Sequence, residues 1–206
     1  MSMMFQPVNI GKMEIKNRFV HSATHEAMAD PDGRITDDHL RRYKNLAKGE
    51  IGLIIPGHMY VHPFGKAHHG QIGIHSNDMI SGLKRLTEKV IGTQPLAPSK
   101  QGRNPVTLNK PRQMNERMIE ETIEAFANAA VRAVEAGADA VQFHAAHGYL
   151  ISEFLSPFFN KRKDKWGGSD ENRFRFIEEI IKRVKKKLPD DKPVLVKMNA
   201  ADYTPF

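Results

Sequence analysis

Two hydrophobic rhythms alternate along the chain. Short apolar-rich runs at 18–22 ("RFVHS"), 51–55 ("IGLII"), 139–143 ("DAVQF") and 193–198 ("PVLVKM") have strand length, and the continuous one at 51–55 suits a parallel strand covered on both faces. Between them the apolar residues return every three or four positions, the spacing of one helix face. Thr36 is placed to cap a helix through Leu40, Tyr43, Leu46 and Ala47, stopped at Gly49. Ser76 or Asn77 opens a second, with Met79, Leu83, Leu86 and Val90 on one side. The clearest runs from Glu116 to Ala136 on the stripe Ile119, Ile123, Phe126, Ala130 and Val134, and Gly137 ends it. Ser169 opens a fourth, with Phe174, Ile177, Ile181, Val184 and Leu188 directed inward. Repeated strand then helix predicts an α/β fold built on a parallel sheet with covering helices.

Two stretches depart from this rhythm. Residues 91–115, rich in Pro, Gly and Asn, show no strand between two predicted helices, although helices on one side of a parallel sheet normally have a strand between them. Residues 144–169 form a second long connection, dense in His, Tyr, Arg, Trp and Gly. Loops at the carboxyl ends of strands carry the sites of α/β proteins, which makes this one the candidate. The expected organisation is one partial barrel domain over 1–206: two βα units in 1–90, the Pro/Gly-rich loop, and further units in 116–206.

Bulk composition narrows the class. The chain has 206 residues, 40% hydrophobic and 27% charged, with no apolar run of membrane length. With no cysteine and no signal-like N-terminus, the expectation is a cytoplasmic protein without membrane partners. A net charge of +7 raises the question of nucleic acid. The basic residues, however, interleave with acids, as in "EEIIKRVKKKLPDD", and no nucleic-acid-binding signature accompanies them, so no nucleic-acid partner is expected.

The densest chemistry is "FHAAHGYLISEFLSP", residues 143–157. His144 and His147, three apart, fall on the same side of a helical turn, and three readings stay open for them. The pair can bind a metal, hold one ligand oxygen between two N–H donors, or simply be hydrogen-bonded at a strand end. No third ligand is spaced to complete a metal site. Tyr149 adds a phenol able to donate a proton.

The segment "HAAHGYLISEFLSPFFNKRKDKWGGSDENRFRF" resembles the central signature of the Old Yellow Enzyme family, FMN-dependent NAD(P)H:flavin oxidoreductases and ene-reductases. The likeness is to the bacterial branch related to 2,4-dienoyl-CoA reductases. It extends to "FQPVNIGKMEIKNRFV", "IGLII", "IGTQPLAPS" and "PVLVKMNAADY". The resemblance implies a TIM (β/α)8 barrel with FMN at the carboxyl-terminal mouth and NADH or NADPH as electron donor. It implies that His144 and His147 bind the oxygen of a small α,β-unsaturated substrate, with Tyr149 contacting the substrate or assisting protonation. Ser22, Ala23 and Thr24 match the turn where backbone meets the flavin ring, Gly57 follows the second strand beside it, and Lys197 matches a cationic position near it.

Departures accompany the match. His58 is bulkier than the family's residue there, His25 stands at a redox-tuning cysteine of one branch, and Ala23 replaces a frequent proline. In "WGGSDENRFRF", Asn172 and Arg173 are expected to brace the loop, and the extra histidines of "HPFGKAHHG" receive no role. The family's third strand, with a flavin-pairing glutamine, is missing after Val90, and so are three βα units with the phosphate-holding groups beyond Phe206. About half a barrel is therefore expected, binding FMN weakly or not at all and self-associating as a homo-oligomer to cover open strand edges. The alternative is a catalytically silent half-barrel that binds or assembles.

Overall fold

A computed structural model describes residues 2–87 and 113–202. The chain begins with a hairpin that the periodicity does not reveal, strands β1 (Val8–Ile10) and β2 (Met13–Ile15), paired antiparallel with Ile10 opposite Met13. Gly11 opens the two-residue turn at φ +62°, where a side chain would be strained.

The remaining strands are parallel and come in two pairs. Strand β3 (Val20–His21) pairs with β4 (Leu53–Ile54), Val20 opposite Leu53. Strand β5 (Val141–Ala145) pairs with β6 (Val194–Met198), with His144 opposite Lys197. Helix α1 (Asp37–Lys48) connects β3 to β4; α2 (Ile80–Thr87) and α3 (Glu116–Glu135) lie between β4 and β5; α4 (Leu150–Leu155) and α5 (Asp170–Lys185) lie between β5 and β6. This is the alternation of a β/α barrel. Among the described residues no ladder joins β4 to β5, and the sheet does not close. The predicted loop at 91–115 and the expected missing strand fall mainly on 88–112, outside the described residues.

Strands β3 and β4 are shorter than their apolar runs: of 51–55 only Leu53 and Ile54 enter the ladder with β3. β5 starts two residues later than expected, at Val141, and so takes in His144 and Ala145. The core lies between this sheet and its helices. Phe126 on α3 meets Phe143 on β5 edge-on at 5.9 Å, while Phe154 on α4 stacks on Phe176 of α5 at 4.0 Å. Fully burying each such ring contributes roughly 1.5–3 kcal/mol.

Helix boundaries follow local chemistry. The Asn115 side chain accepts from Met118 N at the start of α3, and Ser169 does the same for Asn172 N at α5. Ser76 precedes a 3-10 turn, Asn77–Met79, that leads into α2; Val90 lies outside the described residues. One inward assignment is corrected. Phe174 is 47% exposed, and the buried stripe of α5 is Phe176, Ile177, Ile180 and Val184. A helix start held by Ser169 rotates residue 174 to the solvent side, where Arg173 and Arg175 tie back to the preceding loop through Gly168 O and Lys165 O.

Candidate functional site at the carboxyl ends of the strands

The site is assembled by the chain as it leaves β5. His144 is a strand residue, not part of a helical turn, so the HxxH spacing does not place the two rings by helical periodicity. After Ala146 the backbone turns back through His147, at φ +60°, and Gly148, at φ +74°. A histidine in the left-handed region is uncommon and costs on the order of 1 kcal/mol. The conformation is held by Asn199, just past β6, whose Oδ1 accepts from His147 N at 3.2 Å. The reversal sets the His147 ring edge-on to that of His144, centroids 4.8 Å apart, and Tyr149 5.0 Å from His144.

The predicted trio is therefore together in space. His144 is 8% exposed, with Nδ1 sealed from solvent and without a hydrogen-bond partner, whereas His147 is exposed and Tyr149 half-buried. Burial first, then the neighbouring His147, Lys197 and His58, push the His144 pKa down to about 3. The ring is neutral at neutral pH, one nitrogen carrying a proton and one a lone pair. Burial also raises the Tyr149 phenol, which therefore stays protonated.

Across the mouth, Lys197 Nζ lies 3.3 Å from Ser22 Oγ, bringing the expected cation of β6 to the turn after β3. Ser22 and Thr24 are exposed there, and Ala23 is half-buried between them. Gly57 is engaged differently from the expectation. Its N–H donates to Glu26 Oε1 at 3.1 Å, and a Cβ on it would lie 2.2 Å from Glu26 Oε2, so the carboxylate fills the space that glycine leaves. Glu26 also accepts from the Tyr43 hydroxyl. Burial, followed by the Glu26 charge, holds that phenol well above its ordinary range.

Sequence reasoning left out several neighbours. His25 and His58 stack at 5.2 Å, His68 stands 4.9 Å from His25, and His58 is 5.0 Å from Tyr149. The signal for His58 was its place directly after "IGLIIPG", at a strand end. Nothing in the sequence pointed to Glu26 or Asn199. Among the described residues, no three His, Asp or Glu side chains converge as a metal site.

The loop behind the site is rigidly braced. Asn160 donates to Phe154 O at 2.8 Å and Trp166 O at 2.7 Å, Arg162 reaches Met114 O at 2.6 Å, and Asn172 donates to Gly167 O at 3.1 Å. Asn172 and Arg173 thus brace the loop as expected. Gly167 is required there, since a Cβ would meet Asn160 Oδ1 at 2.6 Å.

Polar side chains gathered where parallel strands end, with helices outside, define a β/α-barrel protein whose candidate site is at the carboxyl-terminal mouth. The chain belongs to the NADH:flavin oxidoreductase / NADH oxidase family, whose model matches residues 3–97 and 92–205. It is 40% identical to an NADPH dehydrogenase of Bacillus subtilis, over 98% of this chain and 64% of that protein. That alignment covers 230 residues, so the relative has at least 24 residues for which this 206-residue chain has no counterpart. The chain spans about 64% of the relative's length.

Two solved structures share the fold closely. A 2-naphthoyl-CoA reductase in complex with 2-naphthoyl-CoA gives a TM-score of 0.89 at 30% identity, over 94% of this chain and 35% of the other. The Old Yellow Enzyme of Pichia sp. AKU4542 gives 0.86 at 29%, over 94% and 59%. The fold is accordingly a partial TIM-type barrel, and no helix among the described residues is long and apolar enough to cross a membrane.

Proposed function

We propose that this chain carries the acceptor-binding mouth of an FMN-dependent oxidoreductase that reduces an activated C=C bond, of enone or enoate type, at the expense of NADH or NADPH. The observation that carries the reading is the convergence of His144, His147 and Tyr149 around a sealed, unpartnered imidazole nitrogen at the strand ends. The residues present suit a flat heterocycle rich in nitrogen and oxygen. The Lys197–Ser22 pair supplies polar groups, and the turn at Ser22, Ala23 and Thr24 offers its backbone.

FMN, when bound, supplies hydride transfer from the nicotinamide to the acceptor. Ser22, Ala23 and Thr24 would hold it through backbone groups, and Lys197 would place a cation beside it. Gly57 belongs to this set only if Glu26 yields its amide. His144 and His147 donate to the acceptor oxygen and stabilise the negative charge that builds there as its C=C bond is reduced. Tyr149, kept protonated by burial, is the proton source.

The experiment is a titration of the purified chain with FMN and then with a phenolic acceptor analogue, followed through the flavin's visible band. FMN uptake is read first, as growth of that band on the protein. The double variant His144→Ala, His147→Ala should lose the analogue and retain the flavin. Loss of the flavin itself would mean that the pair is misassigned. A protein that takes up no FMN would favour the second reading, a silent half-barrel, for which the absence of a ladder between β4 and β5 among the described residues is the specific observation.

A further inference from the structure

Helix α1 starts at a capping box built with an imidazole. The Thr36 side chain accepts from the His39 backbone N–H, and His39 Nδ1 in return accepts from Thr36 N at 3.2 Å. The third helical residue of such a box is normally Glu or Gln. A histidine there can lose its accepting lone pair to a proton not far below neutrality.

The geometry fixes the state of the ring. Thr36 Oγ also lies 3.0 Å from Nδ1, but its one proton goes to Met28 O at 2.9 Å, so the Thr36 amide is the donor to the ring. Nδ1 therefore carries the lone pair and Nε2 the proton. His39 is fully buried, and its Nε2 is sealed from solvent without a hydrogen-bond partner, so the Thr36 contact alone selects this tautomer. Protonation would take the lone pair, leave Thr36 N–H facing another N–H, and put a charge where no water reaches. On α1, Asp38 favours that charge and Arg42 opposes it. Nearby, Arg85 of α2 is paired with Asp37, and Arg34 with Asp78, so both of these carboxylates are already engaged by an arginine.

The box fastens the connector 28–36, and the connector seats the loop 60–73. Ala29 N donates to Gly70 O at 2.9 Å, Gly73 N to Gly33 O at 2.8 Å, the Tyr60 hydroxyl to Asp32 O at 2.8 Å, and Lys66 Nζ to Pro31 O at 2.6 Å. That loop carries His68, whose ring is 4.9 Å from that of His25 at the mouth.

We propose that His39 is a pH-sensitive latch: neutral, it holds the connector 28–36 to the start of α1, and protonated, it releases the connector and loosens the loop 60–73. Burial outweighs the pull of Asp38 and lowers the His39 pKa from 6.5. The folded chain then binds fewer protons here than the unfolded one, so the contribution of the latch is present above about pH 6.5 and declines as pH falls below it.

The test compares the unmodified chain with His39→Gln, which keeps an acceptor that does not titrate. Nitrogen NMR shifts of the His39 ring at pH 7.5 should report the Nε2–H tautomer, and an Nδ1–H ring would overturn the proposal without any variant. From pH 7 to pH 5, hydrogen-exchange protection of the Thr36 amide, corrected for the intrinsic rate, should fall about tenfold in the unmodified chain. That fall is the equivalent of about 1.4 kcal/mol, within the range of a lost cap, and His39→Gln should hold the protection within about twofold. The Phe126 amide on α3, read in the same samples, should change equally in both proteins. An equal fall of Thr36 protection in both proteins, no fall in the unmodified chain, or a Phe126 amide that follows Thr36 would each show that His39 merely packs.

Discussion

His147 shows how a single residue can hold a site in shape. Its left-handed backbone and the Asn199 contact fix the reversal that brings the second imidazole to the first. Replacing Asn199 by Ala should therefore weaken acceptor binding severalfold with little change in global stability, read by titration beside urea denaturation. The buried imidazoles also predict a pH dependence. His58 and His144, with folded values of about 4 and about 3 against an ordinary 6.5, stay neutral while the unfolded chain takes up protons. The unfolded state then binds more protons as pH falls from about 6.5 towards 4, so stability declines across that window and is regained on returning to neutrality. Each group contributes on the order of 3 kcal/mol to the decline. Urea midpoints of the chain and of His58→Leu, compared from pH 7.5 to 4, check this: the variant should fall less steeply.

At the level of elements, the test is the corrected face of α5. Phe174→Ser should change stability by less than about 0.5 kcal/mol, whereas Phe176→Ala, which empties the stack with Phe154, should cost about 3–5 kcal/mol. Thermal or urea unfolding of the two variants measures both. The helices were legible because their caps and stripes are local: Thr36 and Ser169 each sit at the start that the sequence suggests, and the third helix begins at Glu116 as its stripe predicts. Strand ends were less legible, since an apolar run does not say how many of its residues find a ladder partner. The β1–β2 hairpin was missed because its strands of three residues are too short to show a period. The site was legible as a motif and illegible as geometry. "HAAHGY" names the chemistry, but its meeting with His58 is a contact across more than eighty residues of sequence, and His25 and His68 join only through His58.

For the whole molecule, the feature to test is the sheet left open among the described residues. Phe19, Val20 and Met198, on or beside the outer strands β3 and β6, are 39%, 50% and 57% exposed. A cavity of about 580 Å³ opens between the residues of β4 and those of β5 towards their amino-terminal ends, between Gly52–Ile55 and Ala138–Gln142. Apolar edges of this kind recruit further strands. Sedimentation velocity across a concentration series should show reversible self-association, and a single monomeric species throughout would overturn that expectation.

Among the described residues no ladder joins β4 to β5, and the two strand pairs are held together by one shared core and by such contacts as Arg132 Nε to Ile74 O at 2.7 Å. Fluctuations that part them break no interstrand bond among the described residues. In heavy water, amide protons of β3 and β4 are expected to exchange faster than those of β5 and its helices, as two separate populations rather than one.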